Sequence, residues 1–311
     1  MYNVWNEKYR PKTFDELVLP ERIKAPLFAI AESGNIPTML FHGSPGLGKT
    51  TAAYVIAKHI DAEVLFINAS MEGNIDTIRT KVLQFASSVS MTGSKKITIL
   101  DECDRMSAAS QDSLKSFIEE YSANNTIIFT SNHTGRIIDA LKSRCKSFDF
   151  NPLSFEKQEV VKMFLKRVFS ILKTENVEFD QKIVAEFVIQ RFPDLRSIVN
   201  ELQSMSVSGK IDVSLLSVIT DESFTDLIGL LKAKKFTSIR KWVTDHSNVE
   251  QDHIFDMLYK KSVDYINPSS LPELILLIGE YSYKSSFVPN KEINLTAFFT
   301  SVIMNQSITW K

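Results

Sequence analysis

The stretch Gly43–Ser44–Pro45–Gly46–Leu47–Gly48–Lys49–Thr50, a G-x-x-x-x-G-K-[ST] pattern, constrains this chain more than any other. A short apolar run, Met39–Phe41, precedes it and has the length of a buried strand's end. Thr51–Lys58 follows, with apolar and polar residues at helical spacing. A strand, a glycine-rich loop and a helix N-terminus make an anion site. The glycines let backbone N–H groups close round a phosphate, and the helix dipole favours its charge. Lys49 is expected to reach the β- and γ-phosphates of a nucleotide, and Thr50 to hold Mg²⁺ through its hydroxyl. Gly43, Ser44, Pro45, Gly46, Leu47, Gly48 and Thr51 complete the phosphate-binding set.

The rest of the first half supplies the sheet that such a loop requires. Val64–Asn68 reads as a second buried strand, Ile97–Leu100 as a third and Thr126–Thr130 as a fourth. Helical stretches at Asp76–Val89 and Ser110–Tyr121 separate them. That alternation predicts a parallel sheet with helices on both faces and ligands at the strands' carboxyl ends. Asp101–Glu102 ends the third strand and Asn132 follows the fourth. Alone, an acidic pair there is a solvated strand end, and a lone Asn is a turn residue. On the sheet of a phosphate-binding loop they acquire roles: Asp101 in the Mg²⁺ shell, Glu102 polarising a water, Asn132 bonding the γ-phosphate or that water.

Around this core the signals are weaker. Prolines 11 and 20 make the N-terminal stretch extended, Glu21–Ser33 reads as a helix ended by Gly34, and Pro26 lies near its start or kinks it. After Asn151–Pro152–Leu153 strand signals fade, and Phe155–Lys173, Gln181–Phe192 and Leu195–Ser206 are helical by period. Gly209–Ile219 reads as a helix or a linker, and the chain beyond Asp221 stays helix-rich. The expected division is a nucleotide-binding domain over 1–151, a small helical domain over 152–222 and a second helical domain over 223–311.

The formal charge of −1 excludes a globally basic protein, so any nucleic-acid surface must be a local concentration of Lys and Arg. Cys103 and Cys145 are too few for a disulfide framework or a Cys₄ zinc site, and Cys103 reads as a small buried residue. The histidines lack metal spacing. A polar N-terminus and the lack of a long apolar run point to the cytoplasm.

With these residues in view the chain resembles the AAA+ ATPases, and among them the clamp-loader subunits: replication factor C small subunits and the large clamp-loader subunit of T-even-type bacteriophages. Trp5-x-Glu7-Lys8-Tyr9-Arg10-Pro11 is similar to the segment that lines the adenine pocket there, which implies nucleotide contacts at Tyr9, Arg10, Pro11 and Val18. Ser143–Arg144–Cys145 resembles the family's Ser-Arg-Cys motif, whose arginine acts in trans on a neighbour's γ-phosphate. A planar, permanently charged guanidinium suits that task. Pro193–Asp194–Leu195–Arg196 resembles the lid motif whose arginine touches the nucleotide of its own subunit.

The resemblance further implies DNA contacts at Arg79 and Lys115, with Arg105 added by proximity, and a coupling role for Gln111 between the DNA-facing helix and Glu102. It implies an apolar plug for the sliding clamp at Val89 and Met91. It departs from the family at Gly73, where relatives often carry a basic residue. The function so implied is an ATP- and Mg²⁺-dependent ATPase subunit that opens a sliding clamp and loads it onto primer–template DNA. Its setting would be a pentamer of several copies of this chain and a different subunit. A Holliday-junction helicase, a replication initiator and a non-catalytic scaffold subunit are the alternatives. The last is opposed by the presence of Lys49, Thr50, Asp101 and Glu102 together.

Overall fold

The computed structural model describes residues 4–72, 75–88, 94–121, 125–211, 221–247, 249, 251–285 and 287–311. The chain opens with α1 (Trp5–Lys8) and α2 (Glu21–Ser33). Strands and helices then alternate: β1 (Met39–His42), α3 (Lys49–His59), β2 (Glu63–Asn68), α4 (Ile75–Ser87), β3 (Lys96–Asp101), α5 (Ala108–Tyr121), β4 (Thr126–Ser131), α6 (Asp139–Lys142) and β5 (Lys146–Asp149). The five strands are parallel, in the order β2-β3-β4-β1-β5.

Side chains alternate across this sheet, as the period of a strand demands. Met39, Phe41, Ile97, Ile99 and Ile128 join Leu27, Ala53 and Ile56 of α2 and α3 in one core. Leu40, Leu100, Ile127 and Phe129 join Ile78, Val82 and Leu114 of α4 and α5 in the other. Because β1 lies inside the sheet, both its faces are buried, which is why its sequence is an uninterrupted apolar run.

Several expectations need correcting. The N-terminal stretch is not wholly extended, for Trp5–Lys8 closes a helical turn around the buried Trp5. The helix α2 continues past Pro26, its sixth residue, and Gly34 ends it with φ 63°. The strand at 64–68 is not buried: β2 is an edge, with Val64 and Phe66 37% and 43% exposed. The strand β5 had no reading in the sequence. Of Lys146–Asp149 only Phe148 is buried, so this edge carries no apolar run.

The chain continues through α7 (Lys157–Thr174), β6 (Glu178–Phe179), α8 (Gln181–Arg191), α9 (Leu195–Met205) and β7 (Lys210–Ile211), with β6 and β7 paired in parallel. Part of the stretch that reads as helix or linker is thus β7, preceded by Gly209, and residues 212–219 lie outside the described residues. Five helices follow: α10 (Asp221–Lys232), α11 (Phe236–Asp245), α12 (Gln251–Tyr265), α13 (Leu271–Ser285) and α14 (Lys291–Met304). They pack around Leu227, Ile239, Phe255, Phe298 and Phe299. Two compact units result, Met1–Gln181 with Val188–Ile211, and Lys182–Phe187 with Asp212–Lys311. The glycine-rich loop and all the candidate site residues before Asp212 lie in the first.

Candidate active site

The loop between β1 and α3 turns on glycines: Gly43, Gly46 and Gly48 have φ of 136°, 76° and 82°, conformations L side chains rarely adopt. Lys49 opens α3 and folds back beneath the loop. Its Nζ donates to the Gly43 carbonyl at 2.7 Å, to the Ser44 carbonyl at 2.8 Å and to Asn132 Oδ1 at 2.8 Å. Only 7% of Lys49 is exposed. Burial lowers its pKa to about 8, against the opposing pull of Asp101 and Asp104. An anion in the loop would favour the charged amine again.

The carboxyl ends of β3 and β4 meet the start of α3. Thr50 Oγ1 donates to Asp101 Oδ1 at 2.6 Å, and Thr130 Oγ1 donates to the same oxygen at 2.7 Å. Glu102 sits in the left-handed region, φ 57° and ψ 41°, a strained conformation for a residue with a side chain. Its amide donates to Thr130 Oγ1 at 3.1 Å, which holds the turn that re-aims the chain at this point. Asn132 is held in turn by its own amide, which donates to Asp104 Oδ1 at 3.2 Å. The second Asp104 oxygen is buried without a hydrogen-bond partner.

The Thr50 hydroxyl and the Asp101 carboxylate are hard oxygen donors converging on one point beside the phosphate loop. That fits Mg²⁺, which takes one or two protein oxygens and completes its shell with phosphate and water. A three-ligand His/Cys/Asp/Glu cluster is absent among the described residues.

Beside the loop lies a cleft lined by Trp5, Tyr9, Arg10, Pro11, Val18, Leu47, Thr51 and Arg196, among others. The structure therefore brings together residues from both ends of the first unit. The N-terminal turn straps the helices after the sheet. Trp5 N donates to Gln203 Oε1 at 2.8 Å, Asn6 Nδ2 to the Arg196 carbonyl at 3.1 Å, and Lys8 Nζ and Tyr9 Oη to Glu175 at 2.7 and 2.5 Å. Arg10 reaches the opposite wall, 5.0 Å from the Tyr54 ring centroid and 3.5 Å from Thr51 Oγ1. Asp194 caps α9 by accepting the Ser197 amide at 3.0 Å, and sets Arg196 on the first turn facing the cleft.

The other predicted residues lie apart from this cluster. Arg144 is exposed after α6, its Nη1 donating to the Ala140 carbonyl at 2.9 Å. Arg105 lines a second cavity of about 550 Å³ with Ser70, Ile78, Glu102, Ser107 and Ser110. Arg79 is half-buried on α4, and Lys115 is half-buried and ion-paired with Asp112. Gln111 is wholly buried. Its Nε2 donates to the Arg136 carbonyl at 2.9 Å and to the Met106 carbonyl at 3.3 Å, and Oε1 accepts the Ile138 amide at 2.9 Å. It knits together the segments after β3 and β4. Cys103 is fully buried, as read from the sequence. Val89 and Met91 lie outside the described residues.

Sequence reasoning missed Thr130, Asp104 and Asn151. Thr130 is one more β-branched residue in a strand. Asn151 follows β5, which had no reading. Asp104 sits three residues past Asp101, in the same acidic segment after the third strand.

Comparison with known proteins was consistent across the chain. Residues 39–153 match the AAA family, ATPases associated with various cellular activities. Residues 156–217 match the lid domain of the sliding-clamp-loader large subunit AAA+ ATPases. The chain is 33% identical to the sliding-clamp-loader large subunit of Escherichia phage RB69, covering 99% of this chain and 98% of that protein. It is 31% identical to the replication factor C small subunit of Sulfolobus acidocaldarius over 97% and 96%. The solved structure of the Thermotoga maritima RuvB Holliday junction branch migration motor shares the fold. It has a TM-score of 0.51 at 19% identity, over 78% of this chain and 87% of that one.

Proposed function

The chain belongs to the clamp-loader branch of the AAA ATPases and is an ATP-hydrolysing enzyme, and on that premise we propose that it opens a sliding clamp and loads it onto primer–template DNA. The observation that carries this reading is the convergence of Lys49, Thr50, Asp101 and Asn132 at the phosphate loop, whose Gly46–Gly48 segment lines one cleft with Arg196. The division into domains over 1–151, 152–222 and 223–311 belongs to the same proposal.

In this reading the adenine lies against Tyr9, Arg10, Pro11 and Val18, and the backbone from Gly43 to Thr51 cradles the phosphates. Lys49 exchanges its carbonyl partners for β- and γ-phosphate oxygens. Thr50 and Asp101 hold Mg²⁺, which neutralises phosphate charge when bound. Glu102 polarises the attacking water, and Asn132 orients that water or the γ-phosphate. Arg196 reports the nucleotide to the lid of its own subunit. Arg144, exposed at the rim, completes the site of a neighbouring copy, so hydrolysis requires an assembly.

The DNA surface comprises Arg79, Arg105 and Lys115, reading backbone shape rather than bases. Lys115 must leave Asp112 to serve it. Gln111 couples that surface to Glu102 through the segment it bonds, and Val89 and Met91 engage the clamp. Partners are the clamp, a different clamp-loader subunit and further copies of this chain in a pentamer, acting in the cytoplasm. No helix among the described residues is long and apolar enough to cross a membrane.

The test is ATP hydrolysis by the natively purified complex without DNA, with single-stranded DNA and with primed template, each with and without the clamp. Stimulation by primed template plus clamp is expected, and Arg144→Ala should lose it while still binding ATP. Stimulation indifferent to primer junction and clamp would move the assignment to a branch-migration motor or initiator. Absence of hydrolysis under every condition would indicate a scaffold subunit.

A further inference from the structure

We infer that Asn151 is a positioning residue that braces the phosphate loop against residues 150–156, the connection (the hinge) between β5 and α7, so that nucleotide occupancy is felt directly there. The carboxamide oxygen of Asn151 accepts two hydrogen bonds from one loop residue, the Ser44 amide at 3.0 Å and the Ser44 hydroxyl at 2.9 Å. From the other side, Lys49 Nζ holds the Ser44 carbonyl at 2.8 Å. Ser44 is thus gripped at its amide and hydroxyl by the hinge and at its carbonyl by the lysine expected to meet phosphate. The fit is close. A Cβ on Gly43 would lie 3.1 Å from the Asn151 amide nitrogen and 3.3 Å from its side-chain Cγ. With φ at 136° the position already favours glycine, and an added Cβ would also press Asn151 outward.

The Asn151 side chain is itself held at a fixed angle. Its Nδ2 and its backbone amide both donate to Asp149 Oδ1, at 2.8 and 3.0 Å, closing a small ring at the end of β5. The hinge is then anchored from outside by Arg22 on α2. One Arg22 nitrogen donates to the Asn151 carbonyl at 3.1 Å and to the Asp149 carbonyl at 3.3 Å, while Nε meets Glu156 at 3.1 Å. Glu156 accepts the Leu153 amide at 2.8 Å. Side-chain and backbone bonds therefore run unbroken from Ser44 through Asn151 and Arg22 to Glu156, the residue before α7. A shift of the loop amides onto phosphate must pull on Asn151, and Asn151 can yield only by moving the hinge.

This inference rests on the reading of the loop as an ATP site, and the test separates the two. Backbone hydrogen exchange of the peptide spanning 148–156 is measured in the native complex with and without ATPγS, alongside steady-state ATP hydrolysis. In the wild type ATPγS should slow exchange of the Asn151 and Leu153 amides. Asn151→Ala should abolish that slowing and raise KM roughly tenfold, the worth of two neutral hydrogen bonds, with a smaller change in kcat. Ser44→Ala, which loses only the hydroxyl bond, should raise KM less, and adding it to Asn151→Ala should cost little more. Multiplying effects of the two substitutions, or hinge protection that persists in Asn151→Ala, would overturn the brace. If Asn151→Ala fails to fold, the wild type still decides, since ATPγS that binds without slowing exchange of the Asn151 and Leu153 amides refutes the path. A wild type that binds no ATPγS would instead sink the nucleotide-site reading.

Discussion

Gly46 and Gly48 look interchangeable in the sequence, yet the structure predicts different consequences for replacing them by alanine. Both have positive φ, 76° and 82°, so each alanine should cost roughly 1–2 kcal/mol of backbone strain. Around Gly48 nothing lies within 4 Å of the new Cβ. At Gly46 the Cβ would sit 1.9 Å from Asp194 Oδ1, 2.7 Å from its Cγ and 3.1 Å from its Cα. Rotating the Asp194 side chain relieves the first two contacts but surrenders its bond to the Ser197 amide, and the third still requires α9 to move. Losing such a cap costs about 1 kcal/mol, or roughly fivefold in an opening equilibrium.

The assay is hydrogen exchange of the Ser197 amide in nucleotide-free protein, which reads this one bond without assuming that the two units unfold together. Gly46→Ala should speed exchange about fivefold and Gly48→Ala should not, because only the first displaces the cap. Asp194→Ala should speed it by a similar factor, and adding Gly46→Ala to it should add almost nothing. Equal acceleration by both glycine substitutions would refute the reasoning, since strain in the loop alone would then explain the effect.

Other perturbations follow from the same geometry. Thr130→Val keeps the shape of a buried side chain but removes the hydroxyl that bridges Asp101 and the Glu102 amide. Hydrolysis by the complex should fall about tenfold, as for a lost charge-assisted bond, and an unchanged kcat would contradict that role. Burial pushes Cys145 up to about 12 and Cys103 well above its usual range, so neither thiol should react with iodoacetamide at pH 8 until the protein unfolds, as mass spectrometry can check. Hydrogen bonds from Lys8 and Tyr9 hold the Glu175 carboxyl below its usual value of 4.5. A depressed carboxylate contributes stability that is present above its unfolded pKa and lost as pH falls through the folded one. The stability gap between wild type and Glu175→Gln should therefore close on acidification below 4.5, a result that acid titration of the melting temperature would show.

Much of the active half was legible because its signals are local. The phosphate loop needs glycines at fixed offsets before a helix, and three of them do carry positive φ. Asp101 and Asn132 were found because a parallel sheet presents the residues after its strands along one edge, and β3 and β4 are apolar enough to be read as strands. Where strands lie at edges, the pattern weakens. Half-exposed Val64 and Phe66 made β2 look buried, and β5 offered only Phe148.

What the sequence determined by itself is the chemistry of the loop and the order of strand and helix, since both depend on residues close in the chain. Which distant residues share an oxygen or a cleft depended instead on how the strands and helices pack. Thr130 and Thr50 both bond Asp101 Oδ1, Asp104 holds the Asn132 amide, and Asn151 reaches Ser44 across 107 positions of sequence. Gln111 looks on a helical surface like any polar residue, yet it is entirely buried and bonded to backbone. Such pairings follow from strand order and helix packing, which bring far-separated backbones together and leave no periodic trace at either end.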